Sequence, residues 1–158
     1  MNKKIPMTKS GFNSMQEELK QFKTVERPAV IKAIAEARVH GDLSENAEYH
    51  AAKEKQGYIE AKIADFEAKI GRAEVIDTSS ISSDKIQFGA DVTLLDDDND
   101  KEQNYQIVGS DESDIKKGLL SITSPLAIKL IGKKVNDFIE VNTPSGGKAY
   151  TITNIKYK

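Results

Sequence analysis

The sequence predicts an α+β protein of two domains: a long antiparallel α-helical coiled-coil hairpin, then a small, mainly antiparallel sheet carrying one short helix. Three observations predict it. Apolar residues recur at 3- and 4-residue spacing over the first half. The period changes to strand-like alternation after the polar stretch "DTSSISSD". Between two helical patterns lies "HGDLSENAEYH", His40 to His50, where the chain must turn. The expected boundaries are 1–76 for the hairpin, 77–83 for the linker and 84–158 for the second domain.

In the first half, Thr8 or Ser10 can cap a helix. Phe12, Met15, Leu19 and Phe22 follow at 3-4-3 spacing, and Ala29 and Ala33 continue the stripe more weakly. Pro28 conflicts with an unbroken helix, because it removes a backbone donor, so a kink or brief break is expected near Arg27. Gly41 supplies the residue at which a first helix stops. Tyr49, Ala52, Gln56, Ile59, Ile63, Phe66, Ile70 and Ala73 then form a narrow seam flanked by Lys and Glu. A short connection makes the two helices antiparallel neighbours. About 30 residues at about 1.5 Å each give a finger of about 45 Å.

In the second half, "FGADVTLL", "NYQIVG" and "LLSIT" are candidate strands, the first two separated by the acidic turn "DDDNDKEQ". "SPLAIKLIG" reads as a short helix with Ser124 as N-cap, Pro125 at its first position and Gly132 past its end. "DFIEVNT" and "KAYTITNIKY" form a hairpin across "PSGG".

Composition excludes several functions. The 158 residues include no cysteine and two histidines, which removes disulfides, thiolate nucleophiles and a zinc constellation. Absence of cysteine fits a cytoplasmic protein. No apolar run approaches the roughly 20 residues of a membrane span, and the N-terminus lacks the apolar core of a secretory signal. A net charge of -2 argues against coating nucleic acid by bulk electrostatics.

Chemistry concentrates in "HGDLSENAEYH", with Asp42, Glu45 and Glu48 inside seven residues. Two readings stand. Asp42-Leu43-Ser44-Glu45 matches a capping box, in which the acids only begin a helix. Alternatively, at the end of a long hairpin they lie far from any concave pocket of their own and can complete a half-built metal site elsewhere. Mg²⁺ is commonly held by one or two carboxylates, with water and phosphate supplying the remaining ligands.

The chain resembles the bacterial Gre transcript-cleavage factors, and their A-type branch more closely. The resemblance rests on "IPMTKSGF", "RPAVIKAIAEARVHGDLSENAEYHAAKEKQG", "FGADVTLL", "YQIVGSDE" and "SPLAIKLIGK" and covers essentially the whole chain. It implies a C-terminal domain resembling the FK506-binding fold. It further implies a factor, not itself an enzyme, that acts on backtracked bacterial RNA polymerase. The globular domain would dock at the rim of the secondary channel, on a coiled coil of the largest subunit. The helical hairpin would then reach the polymerase active site. Asp42 and Glu45 would help hold a second Mg²⁺ shared with the polymerase, no cofactor being bound by the chain alone. Arg38 and Lys53, flanking the tip, would touch the extruded RNA 3′ end, the alternative for each being a solvated helix-face charge. Tyr49, on the seam, fits core packing better than stacking on RNA. Thr123, Ser124 and Pro125 would form the docking point. At Thr123 the chain departs from members that carry an acid or amide there. No membrane partner is implied, and the expected state is a monomer.

Three other functions are compatible with parts of the sequence. A prolyl isomerase pocket is lined with aromatics, whereas this half offers only Phe88, Tyr105, Phe138, Tyr150 and Tyr157, most of them within candidate strands. A channel-binding relative that does not stimulate cleavage would share the scaffold and differ at the tip. A plain coiled-coil adaptor would use the acids only as caps.

Overall fold

The computed structural model describes residues 3–41, 46–144 and 146–157. The chain divides into two units. One takes in the first four residues and Phe12–Ala73; the other comprises Ile5–Gly11 and Glu74–Lys158.

The first unit is the expected helical hairpin. Helix α1 spans Lys9–Gln21, α2 Arg27–Val39 and α3 Ala47–Gly71. The cross-hairpin partners run in opposite directions along the chain: Lys23 with Glu67, Arg27 with Glu60, and Ala37 with Asn46. Val30, Ile59 and Ile63 form its buried core, with Leu19 and Phe22 against them. Phe22 and Phe66 add a tilted ring contact at 5.8 Å. The expected seam on α3 is present: Ile59 and Ile63 are buried, and Tyr49, Ala52, Gln56, Phe66 and Ile70 are half-buried. The helix ends at Gly71, so Ala73 lies in a strand rather than on the seam.

The irregularity expected near Arg27 is present as a π-helical turn between α1 and α2. Pro28 occupies the first turn of α2, and the residues before it, Phe22–Glu26, form the π-helical turn, in which the Arg27 N–H reaches the Phe22 carbonyl. A π-turn accommodates one extra residue, and that residue rotates everything after it by about 100°. The stripe through Phe22 therefore continues through Val30 and Ala37, both buried, and not through Ala29 and Ala33, both exposed.

The second unit holds a five-stranded sheet. Its strands are β3 (Ala90–Asp96), β4 (Glu102–Val108), β5 (Leu119–Ser121), β6 (Phe138–Thr143) and β7 (Gly146–Tyr157), in the order β5-β4-β3-β7-β6. Every pairing is antiparallel except β4 with β5. Alternate residues Ala90, Val92 and Leu94 point into the core with Ile107, Ile139 and Ile152. Helix α4, Pro125–Leu130, closes that core with Ala127 and Leu130. Of the aromatics, Phe88 and Tyr150 are buried and Tyr105 and Tyr157 half-buried, whereas Phe138 is exposed on an edge strand.

A second, two-stranded sheet pairs β1 (Ile5–Thr8) with β2 (Ala73–Ile76); the expected elements did not include either strand. Glu112 anchors β1. Its carboxylate accepts the Thr8 N–H at 3.0 Å, the Thr8 hydroxyl and the Gly109 N–H at 2.9 Å. The Thr8 hydroxyl oxygen in turn accepts the Gly11 N–H at 3.0 Å and so caps α1. Among the described residues, no helix is long and apolar enough to cross a membrane.

Candidate functional site at the hairpin tip and the β5–α4 corner

The tip is built from two helix ends. Helix α2 stops at Val39, and His40, in a non-helical conformation, donates its N–H to the Ala37 carbonyl at 3.1 Å. Gly41 follows with φ of +123°, and a Cβ there would meet nothing within 4 Å. Glycine is required there for its backbone conformation and not for space. Asp42 and Glu45, with Leu43 and Ser44, lie outside the described residues.

Asn46 is the N-cap of α3. Its Oδ1 accepts the Tyr49 N–H at 3.0 Å, and its Nδ2 donates to the Ala37 carbonyl at 2.6 Å. Helix α3 thus begins at Ala47 and is capped by the amide of Asn46, while the capping-box reading of Asp42 to Glu45 falls on residues outside those described. Asn and Asp rank alike as caps, but only Asn also has a donor for the facing carbonyl. The signal was legible, since Asn46 stands three residues before the first seam residue, Tyr49.

Arg38 is exposed in the last turn of α2, its guanidinium carbon 5.9 Å from the centroid of the Tyr49 ring. Lys53 is exposed on α3 and donates to Gln56 Oε1 at 3.3 Å. Further down, Arg27 and Glu60 form a two-bond fork, both at 2.8 Å. This fork raises the Arg27 pKa and lowers that of Glu60. Among the described residues, no group of three or more His, Cys, Asp or Glu side chains is placed to hold a metal ion.

The β5–α4 corner brings Thr123, Ser124 and Pro125 together as expected and adds two hydroxyls. The Ser121, Thr123 and Ser110 side chains are mutually within hydrogen-bond reach, at 2.8, 3.1 and 3.2 Å. Ser124 caps α4 by accepting the Ala127 N–H at 3.2 Å and donates to the Ser121 carbonyl at 2.7 Å. Pro125 is exposed at the first helical position, and Ile128, one turn on, is 64% exposed. No local sequence signal marked Ser110, which reaches the corner only through the pairing of β4 with β5.

Two family models match the chain. "Transcription elongation factor, N-terminal" covers residues 5–75, and "Transcription elongation factor, GreA/GreB, C-term" covers residues 81–157. Transcription elongation factor GreA of Phenylobacterium zucineum (strain HLK1) is 59% identical over 154 residues, 98% of each chain. The proteins of the same name from Caulobacter vibrioides (strain NA1000 / CB15N) and Paracoccus denitrificans (strain Pd 1222) are each 57% identical, again over 98% of each chain. Among solved structures, the prokaryotic transcription elongation factor GreA/GreB from Nitrosomonas europaea aligns at 21% identity. The alignment covers 98% of this chain and 100% of that one, with a TM-score of 0.44. Matched by family models across both halves and by full-length relatives, the chain belongs to the GreA/GreB family of transcription elongation factors.

Proposed function

We propose that the chain enters the secondary channel of bacterial RNA polymerase in the cytoplasm and stimulates the polymerase to cleave its own backtracked transcript. Elongation then resumes from the new RNA 3′ end. The observation that carries this reading is the division of labour at the tip. Asn46 supplies the cap acceptor for α3, so capping does not demand the carboxylates of Asp42 and Glu45. An antiparallel hairpin whose second arm alone has 25 residues, or about 37 Å, is suited to carrying those two acids into a deep, narrow channel.

Two carboxylates are the hard oxygen donors that Mg²⁺ takes from a protein, and they leave the remaining positions to water, phosphate and the polymerase. Asp42 and Glu45 would hold the ion jointly with the polymerase. When bound, a second Mg²⁺ supplies charge stabilisation for an oxygen in phosphodiester hydrolysis. Arg38 and Lys53 neutralise phosphate of the extruded RNA. Docking falls to Thr123, Ser124 and Pro125, where a capped helix start and a hydroxyl cluster give a preformed surface for a coiled coil of the largest subunit at the channel rim. One copy of the chain serves one polymerase.

A stalled, backtracked elongation complex with end-labelled RNA tests the proposal. Addition of the chain should shorten the RNA from its 3′ end and restore extension on nucleotide addition. RNA of unchanged length at saturating factor overturns it.

A further inference from the structure

The Tyr49 ring is half-buried at the start of α3, edge-on to the His50 ring at 5.6 Å and 69°. Across the hairpin it lies 5.9 Å from the Arg38 guanidinium. The contrast with Arg27 is informative. Arg27 spends two N–H groups on the Glu60 carboxylate, whereas among the described residues no carboxylate pairs with Arg38. A guanidinium within about 6 Å of an aromatic ring is attracted to its face, a contact that uses none of its N–H groups and leaves them available for a two-bond contact with a phosphate. Arginine on a bare helix face would instead sample many rotamers and lose that freedom on binding.

We propose that Tyr49 is the positioning residue for Arg38: the ring holds the guanidinium at the tip with its donors directed to a phosphate of the extruded RNA. This rests on the polymerase-channel reading given above. It assigns to an aromatic on the apolar seam a part in RNA cleavage through Arg38 and not through stacking on a base.

The test is a double-substitution cycle in the transcript-cleavage assay at subsaturating factor. Tyr49→Phe keeps the ring face, Tyr49→Leu keeps an apolar seam residue without a ring, and Arg38→Gln removes the cation. Tyr49→Phe should cleave as the wild type does. Tyr49→Leu should lose roughly 2- to 5-fold, the range of an exposed cation–π contact. Arg38→Gln should lose at least as much, and Tyr49→Leu added to Arg38→Gln should cost nothing more. Helix content and competition for polymerase should be unchanged in every variant; if Tyr49→Leu reduces either, Tyr49→Met replaces it. Additive losses overturn the proposal, because Tyr49 then acts independently of Arg38. Loss with Tyr49→Phe equal to that with Tyr49→Leu overturns it by assigning the effect to the hydroxyl. Wild-type cleavage by Arg38→Gln removes Arg38 from RNA binding, and Tyr49 positioning with it, while the role of Asp42 and Glu45 stands. Absence of cleavage by the wild-type chain itself is the separate failure of the parent reading.

Discussion

The Asn46 side chain joins the two arms of the hairpin at the tip, donating to the Ala37 carbonyl at 2.6 Å while its oxygen caps α3 through the Tyr49 N–H at 3.0 Å. One residue thereby gives the Ala37 carbonyl a second donor beside the His40 N–H and satisfies an orphan donor at the start of α3. Asn46→Ala removes both bonds and should destabilise the protein by about 1–2 kcal/mol. Asn46→Ser keeps a cap acceptor and loses the bridge, so it should cost about half as much. Urea denaturation distinguishes them, and an alanine variant as stable as the wild type would show that the bridge contributes nothing.

The π-turn before Pro28 makes a second prediction about the same arm. Because it stores one extra residue ahead of Val30, deleting Thr24 should convert it to ordinary helix without changing which residues face the seam. Made together with Pro28→Ala, which removes the ring's conflict with a continuous helix, that deletion should change stability by less than about 1 kcal/mol. Deleting Ala33 instead rotates Ala37 away from the seam and should cost more than about 2 kcal/mol. The thermal midpoints of the two variants compare them directly.

Anchoring of β1 supplies a third. A Cβ on Gly109 would lie 2.4 Å from the Pro6 carbonyl oxygen and 3.0 Å from Glu112 Oε2. Gly109→Ala must therefore push β1 away or give up the Glu112 bonds. It should destabilise by about 1–3 kcal/mol, with faster amide exchange at Thr8, whose N–H is bonded to Glu112. Unchanged protection at Thr8 would count against the anchor.

One contribution to acid sensitivity comes from Asp96, whose side chain is buried at the end of β3. It accepts the Asp98 N–H at 2.9 Å and the Lys148 ammonium at 3.2 Å. The Asp98 hydrogen bond is the main reason its pKa is lowered; Lys148 adds to the effect and burial opposes it. A depressed carboxylate pKa stabilises the folded state above the unfolded value of about 3.9, and this stability is lost as pH falls through the lower folded value. Asp96→Asn should therefore flatten the fall in stability below about pH 4, read from denaturation midpoints at a series of pH values. A variant that loses stability in acid as steeply as the wild type would contradict the assignment.

How much of this was legible in the sequence depended on the range of the interaction. The seam from Tyr49 to Ile70 and the punctuation of α4 by Ser124, Pro125 and Gly132 are local patterns, and both are present. The departures are of two kinds. Pro28 marked an irregularity near Arg27, but not that Phe22–Glu26 would take up one extra residue, which moved the buried stripe from Ala29 and Ala33 to Val30 and Ala37. Pairing of β1 with β2, the anchoring of Thr8 by Glu112, and the meeting of Ser110 with Thr123 join segments that local spacing does not relate. At the candidate site, the position of Arg38 and Lys53 beside the tip was legible in the sequence. The hold of Tyr49 on Arg38 and the double role of Asn46 required the two helix ends to be brought together.

Transcript cleavage by the doubly substituted chain Asp42→Asn, Glu45→Gln tests the central claim most directly. With Asn46 as the N-cap, neither change removes the cap of α3, so the variant should fold and compete with wild-type chain for backtracked polymerase. Its cleavage of the extruded RNA should be nearly abolished. Cleavage at the wild-type rate by a variant that still binds would contradict the account.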